Sequence, residues 1–414
     1  MSVSSLEYIL ALFLIASIFF RLPERRARQF AFALGGAGFL FSHVADSRSL
    51  LVMLGFLLSG YGCARLLLER PSRLLFASYL VLLVGIFTFL KQYSFLAPLI
   101  PQRLIDLRLE VVGLSYMLFR QIHFLVDVMQ EQIGSPSLWC YLNYQLNPFT
   151  LLAGPIQRYQ EFEVYWADPA PLFTERHELL KSYLRIFFGI LKILVVAELF
   201  RGGYDRFLLH LDASGPLSPG GWNAVVELVL MLYCFLLYLY LNFSGYCDVV
   251  IAGAGLVGLR LPENFNHPFV ARNILDYWTR WHITLGRWIR DYLFTPFYKA
   301  GVERFPGHVQ MVAVLSYFLA FLLAGLWHGS TWNFLIYGLF HGAGASAAKL
   351  WENLIIARSG RPGLRNYLGS RMIRTVAVFG TFHYACFSLL VFALDLPHAQ
   401  RILAKIAHSF TAGY

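Results

Sequence analysis

His328 ends a mostly apolar run, Val309 to Trp327, and sits inside the segment Gly325-Leu-Trp-His-Gly329. That run is about long enough to cross the roughly 30 Å hydrocarbon core of a bilayer. An ionisable side chain at such depth is costly, so it marks a functional site by default. Histidine suits proton transfer there. Its pKa lies near neutrality, and burial disfavours the charged form, leaving a ring nitrogen able to accept. The bland alternative is a buried histidine bonded to a carbonyl.

Other residues could share that chemistry. From Asp276 to Pro296 the chain carries three Trp and three Arg. At about 100° per residue, Trp278, Trp281, His282, Leu285, Trp288, Ile289 and Tyr292 fall on one side of a helix, and Arg280, Arg287 and Arg290 on the other. This predicts an interfacial helix whose aromatic side meets headgroups or packs on protein. The three arginines suit the phosphates of coenzyme A or phosphopantetheine, and equally anionic lipid headgroups. His282 could orient a substrate, contact the acyl donor, or simply bond a neighbouring helix. His341 lies thirteen residues beyond His328. On one unbroken helix that is about 220° round and about 20 Å along, so a structural role is expected of it. Asn242, Ser244, Tyr246 and Asp248 end a strongly apolar helix, as tunnel-lining groups or as interhelical hydrogen bonds. Cys386 has His383 one turn away, but no third polar group orients the pair, which reads as packing. Gly253, Gly255 and Gly258 lack the lysine and strand of a phosphate loop. The sequence shows no metal-ligand spacing, and no covalent nucleophile stands out.

The elements that must position these residues are membrane helices. Of 414 residues 57% are hydrophobic and 14% charged, with mean hydropathy +0.56. Soluble domains carry about a quarter charged residues. The net charge of +10 falls in short clusters between apolar spans and forms no basic face for nucleic acid. The five cysteines are scattered and read as packing residues. Candidate spans are 6–20, 29–43, 49–68, 74–90, 109–128, 139–154, 180–200, 222–243, 247–260, 309–327, 332–350 and 372–394, with about ten or eleven true crossings expected. The first is followed by Arg21, Arg25 and Arg26 without a small-residue cleavage site, so it reads as a retained helix. Arginines after the first and third spans (Arg21, Arg25, Arg26, Arg28; Arg65, Arg70, Arg73) place those loops in the cytoplasm and the N-terminus outside. No soluble block interrupts the spans, so a single membrane domain over 1–414 is expected.

The ordered segments Leu152-Ala-Gly-Pro-Ile-Gln-Arg158-Tyr, Asn242-Phe-Ser-Gly-Tyr-Cys-Asp248, Pro262-Glu-Asn-Phe-Asn-His-Pro268, Trp278-Thr-Arg-Trp-His282-Ile-Thr-Leu, Arg290-Asp-Tyr-Leu-Phe, Gly325-Leu-Trp-His328-Gly and Gly338-Leu-Phe-His-Gly342 resemble the membrane-bound O-acyltransferase family. Within it they look like the bacterial branch of alginate O-acetyltransferases and the D-alanine transfer protein of teichoic acid synthesis. The motif-bearing core runs from about 152 to 342. The resemblance implies an all-α, polytopic ring of helices around a central funnel. It implies His328 as the catalytic histidine and His282 as a second one; Trp278 and Trp327 are further residues expected to bind substrate or donor. It also implies transfer of an acyl group, acetyl before D-alanyl, to a hydroxyl of an extracytoplasmic glycan or to a partner acyltransferase. The donor would be a cytoplasmic thioester, acetyl-coenzyme A or an acyl carrier protein, used as substrate with no resident cofactor. The setting would be the bacterial cytoplasmic membrane. A hydroxyl attacking a thioester needs a base for its proton and donors for the tetrahedral oxyanion. A transporter or flippase would show internal repeats with ionisable pairs in matching half-helices, and the sequence shows no such repeat.

Overall fold

The computed structural model describes residues 24–42, 47–99, 113–169, 176–213 and 222–411, with a few isolated positions before Glu24. Among these residues the chain is helical without strands, and its sheet-like feature is an isolated antiparallel bridge between Phe265 and Trp281. Helices satisfy their own backbone polar groups, which is what hydrocarbon demands. Among the described residues five helices are long and apolar enough to cross a membrane: Ser47–Glu69, Arg73–Lys91, Trp222–Leu256, Pro306–His328 and Arg371–Ala393. The chain is a multi-pass membrane protein. It forms two compact units, Met1–Ile190 with Gly245–Glu263, and Leu191–Ser244 with Asn264–Tyr414.

The first unit contains α1 (Arg25–Phe41), α2 (Ser47–Glu69), α3 (Arg73–Lys91), α4 (Leu114–Met129), α5 (Leu138–Gln145), α6 (Tyr159–Ala167) and α7 (Arg176–Leu191) up to Ile190. Its interior is polar where hydropathy predicts lipid. Arg120, Gln121, His123 and Asp127 of α4 are all buried. The Arg120 guanidinium donates to the carbonyls of Tyr144 (2.9 Å) and Gln145 (2.5 Å) and to the Thr150 hydroxyl. Those carbonyls end α5, where intrahelical donors run out and the helix dipole is negative. Gln121 donates to the Phe56 carbonyl at 2.7 Å. It fits because Gly60 is opposite: a Cβ there would lie 2.5 Å from its Oε1.

The second unit contains α8 (Glu198–Asp212), the first part of α9 (Trp222–Leu256), α10 (Ile274–Trp278), α11 (Ile283–Ile289), α12 (Thr295–Arg304), α13 (Val309–His328), α14 (Trp332–Gly369), α15 (Arg371–Ser388), α16 (Leu390–Ala393) and α17 (Leu396–Thr411). Helices α13 and α14 form a tight antiparallel hairpin. A Cβ on Gly325 would stand 2.4 Å from Gly338 Cα, and one on Gly342 would stand 3.0 Å from the Phe318 carbonyl oxygen. Ser346 closes the far end by donating to the Val314 carbonyl at 3.1 Å. Small residues replace hydrophobic driving force as the means of helix association in lipid. Amphipathic α17 buries Ala399, Ile402 and Ile406, and its Lys405 donates to the Ala213 carbonyl just past α8 at 2.6 Å.

Several span expectations change. Segment 139–154 is not a span. It is the eight-residue α5 followed by turns around the buried Asn147 and Thr150, because polar partners from α4 satisfy its broken backbone. Spans 222–243 and 247–260 are one 35-residue helix, α9. It ends at Gly258 (φ +85°), where the Leu259 amide returns to the Ala254 carbonyl at 2.9 Å, as a left-handed cap allows. The predicted interfacial helix over Asp276–Pro296 is broken into α10, α11 and a wide π-type turn over Arg290–Phe294. The break falls at His282, whose φ of 47° and ψ of 53° leave the right-handed region. Span 6–20 lies largely outside the described residues, and the N-terminal placement with it.

Candidate active site

His328 is the last residue of α13, about 28 Å along the helix axis from Val309. The chain then turns sharply. Gly329 is extended at φ −166°, and a Cβ there would meet the Phe334 ring at 2.0 Å. The glycines on either side of His328 thus have separate duties: Gly325 lets α14 approach, and Gly329 lets Phe334 fold over the turn. The half-buried His328 ring is caged by aromatics. Ring centroids of Trp327, Tyr337 and Phe392 lie 4.9, 5.7 and 5.7 Å away.

His282 belongs to the same site. Its centroid is 6.4 Å from Trp327 and 4.9 Å from Phe243. It is 4% exposed. Burial, and next the charge His328 carries when protonated, push it down to about 3, so it is neutral at physiological pH. Its left-handed backbone is costly for a side-chain-bearing residue and must be imposed from outside. The segment Asn264–Asn266 imposes it. The Ile283 amide donates to the Asn264 carbonyl (3.0 Å), the Asn266 amide to the Arg280 carbonyl (2.9 Å), and Phe265 bridges Trp281.

His341 is brought beneath the site because the turn at 329–331 reverses the chain. The Tyr337 ring lies 4.4 Å from it and 5.7 Å from His328. Both its nitrogens are used. Trp278 Nε1 donates to Nδ1 at 3.2 Å, and Nε2 meets Ser388 Oγ at 3.0 Å. Ser388 in turn donates to the Ala385 carbonyl at 2.6 Å. The structural role expected of His341 therefore fits. Likewise His383 bonds the Phe379 carbonyl (2.8 Å) and the Tyr233 hydroxyl, and Cys386 is buried in the apolar core.

The sidedness of the broken Trp/Arg segment survives in part, with Arg280 and Tyr292 both half-buried. Trp278, Trp281, His282, Leu285, Trp288 and Ile289 are buried, while Arg287 and Arg290 are exposed. The buried side packs on protein: Trp281 stacks on Tyr277 at 5.7 Å, and Trp278 meets Phe321 at 5.5 Å. Trp278 also walls a cavity of about 300 Å³, with Ile283, Ile289, Phe294, Tyr317 and Phe321 lining it and Arg287 and Arg290 at its polar side. Arg280 and Arg290 are already ion-paired, to Asp276 (2.7 Å) and Asp291 (2.8 Å). Arg287 has no ion pair among the described residues.

In the Asn242–Asp248 motif, Phe243 supplies the contact with His282. Asp248 instead accepts from Arg185 at 2.9 Å, and Arg185 also forks onto Glu263 with two 2.7 Å bonds. Tyr246 is buried near enough to Arg120 to feel its charge. The buried Ser244 hydroxyl has no hydrogen-bond partner among the described residues, and Asn242 is half-buried. Among the described residues no group of three or more His, Cys, Asp or Glu could hold a metal ion. Sequence reading gave no role to Arg120, Arg185 or Asn264. The first was legible in part, since Arg120, His123 and Asp127 follow helical spacing along α4, whereas Gln121 turns to the Phe56 carbonyl of α2. The other two act through partners more than fifteen residues away, for which no local pattern exists.

Residues 73–390 match the family model described as MBOAT, membrane-bound O-acyltransferase family. The chain belongs to the membrane-bound O-acyltransferase family. Similar proteins include a teichoic acid D-alanyltransferase of Bacillus subtilis (strain 168), 28% identical over 288 residues, 68% of either chain. A peptidoglycan O-acetyltransferase of Helicobacter pylori is 28% identical over 274 residues, 58% of this chain and 48% of that one. A probable alginate O-acetylase of Azotobacter vinelandii is 29% identical over 236 residues, 56% of this chain and 43% of that one. In this acyltransferase the His328 and His282 rings, from separate elements of the second unit, lie 4.9 and 6.4 Å from the Trp327 ring.

Proposed function

We propose that this acyltransferase moves an acyl group, acetyl in the first instance, from a cytoplasmic thioester to a hydroxyl of an extracytoplasmic cell-envelope glycan or of a partner acyltransferase. The observation that carries the proposal is the convergence of His328 and His282 on Trp327 at the end of a membrane span. His328 acts as general base. It removes the proton of the attacking hydroxyl as the new C–O bond forms, and the thiolate of the donor leaves and takes up a proton. Base catalysis of this kind supplies about 10²–10⁴-fold. The phosphate-bearing arm of coenzyme A or a carrier protein lies along the cavity under Arg287 and Arg290, with Arg287 free to meet a phosphate. Trp278 and Trp327 line the path of the acyl group. The protein sits in a bacterial cytoplasmic membrane with the Arg287 side facing the cytoplasm, where the thioester is made.

D-alanyl transfer is a second reading. It is favoured by the even coverage, 68% of both chains, of the alignment with the teichoic acid D-alanyltransferase. Purified protein in detergent, given labelled acetyl-coenzyme A or D-alanyl carrier protein with an envelope glycan fraction, separates the two readings. His328→Ala is expected to abolish transfer while helical content and the melting temperature stay near wild type. Near-wild-type turnover in that variant sinks the base assignment.

A further inference from the structure

We infer that Asn264 is a positioning residue. Its side-chain oxygen fixes His282 in the tautomer protonated on Nδ1, so that His282 offers the active site a hydrogen-bond acceptor, Nε2, and no donor. The inference rests on the assignment of His282 to the active site.

Asn264 is fully buried. One of its side-chain atoms meets three groups: the Thr284 amide at 3.1 Å, the Thr284 hydroxyl at 2.9 Å and His282 Nδ1 at 3.3 Å. Oxygen and nitrogen of an asparagine amide are exchangeable in placement, but here chemistry decides between them. A backbone N–H can only donate, so the atom facing the Thr284 amide must be the oxygen. Nδ1 faces the same oxygen and must therefore carry its proton. In a neutral imidazole the other nitrogen is then an acceptor. The backbone supports this arrangement, since the Ile283 amide bonds the Asn264 carbonyl at 3.0 Å and holds His282 in its left-handed conformation beside the asparagine.

The consequence is a division of labour. A developing oxyanion needs donors. A neutral His282 with its lone pair on Nε2 cannot be one. It can accept from the substrate hydroxyl or from an N–H of His328, the titratable group whose charge reaches it. The oxyanion must be met by other groups.

The direct test is ¹⁵N NMR of histidine-labelled full-length protein in detergent or lipid, with His282→Gln identifying the His282 signals. Protonated Nδ1 with unprotonated Nε2 is expected. The reverse pattern overturns the inference whatever the activity. Full turnover in His282→Gln would instead remove His282 from the chemistry while leaving the tautomer assignment standing, so the two failures are distinguishable. Asn264→Ala is expected to lower kcat by about 10²-fold or more with little change in KM for the donor. Asn264→Asp keeps an acceptor in place and should retain the Nδ1–H signal. A carboxylate there also favours the imidazolium, so the acid side of its pH–rate profile should move to higher pH. Thr284→Val removes one Asn264 bond without touching His282. If it lowers kcat as far as Asn264→Ala does, Asn264 merely braces the loop and the inference fails.

Discussion

Gly325→Ala puts the architecture around His328 to a quantitative test. The added methyl would lie 2.4 Å from Gly338 Cα, 2.6 Å from Gly338 N and 2.5 Å from the Phe334 carbonyl oxygen. All three are backbone atoms of α14, so no rotamer change relieves the clash. Ordinary carbon contacts lie at about 3.5–4.0 Å, so the two helices must part by about 1 Å. Forcing a methyl into a packed interface costs about 1–3 kcal/mol. The better helix propensity of alanine opposes this by at most about 1 kcal/mol. A net loss is expected, seen as a lower melting temperature by tryptophan fluorescence in detergent. Gly62→Ala on α2 is the matched control. No atom lies within 4 Å of a Cβ there, so propensity acts alone and the melting temperature should rise or hold. Turnover should respond more sharply than stability. Gly325 is one turn before His328, and a displacement of about 1 Å at a reacting group can cost about 10²-fold. A Gly325→Ala protein that melts at or above wild type with undiminished turnover refutes the reasoning.

A cysteine at Arg287 should be labelled by a membrane-impermeant thiol reagent only once the cytoplasmic face is opened; labelling of intact spheroplasts from outside contradicts the proposed orientation. Arg185→Ala should lower the melting temperature by leaving Asp248 and Glu263 without their shared cation, and Arg185→Lys should recover part of the loss because lysine lacks the fork. An unchanged melting temperature in Arg185→Ala would show that the ion pairs contribute nothing net. His282 titrates near 3 when folded and near its ordinary value of about 6.5 when unfolded. The stability from keeping it neutral is thus complete above about pH 6.5 and is lost as pH falls towards 3, because the unfolded chain takes up the proton first. The wild-type melting temperature should therefore fall further between pH 7 and 4.5 than that of His282→Gln, and equal falls would contradict this.

Hydropathy and residue spacing settle what depends on solvent preference and short range. The scarcity of charge dictates a multi-pass helical membrane protein. The apolar run before His328 places that histidine at the end of a span. The Trp and Arg sides of Asp276–Pro296 largely separate as spacing predicts, because burial sorts side chains by polarity even where the helix breaks. The tertiary structure alone decides the break itself. His282 takes a left-handed conformation because Asn264, eighteen residues earlier, supplies the bonds that repay it, and no local propensity encodes that partner. It also decides that 139–154 is not a span: hydropathy cannot see that Arg120 reaches the carbonyls ending α5. His341 illustrates both sides. On an unbroken helix its spacing would hold it about 20 Å from His328. Its place beneath His328, bonded to Trp278 and Ser388, exists only because glycines let α14 fold back onto α13.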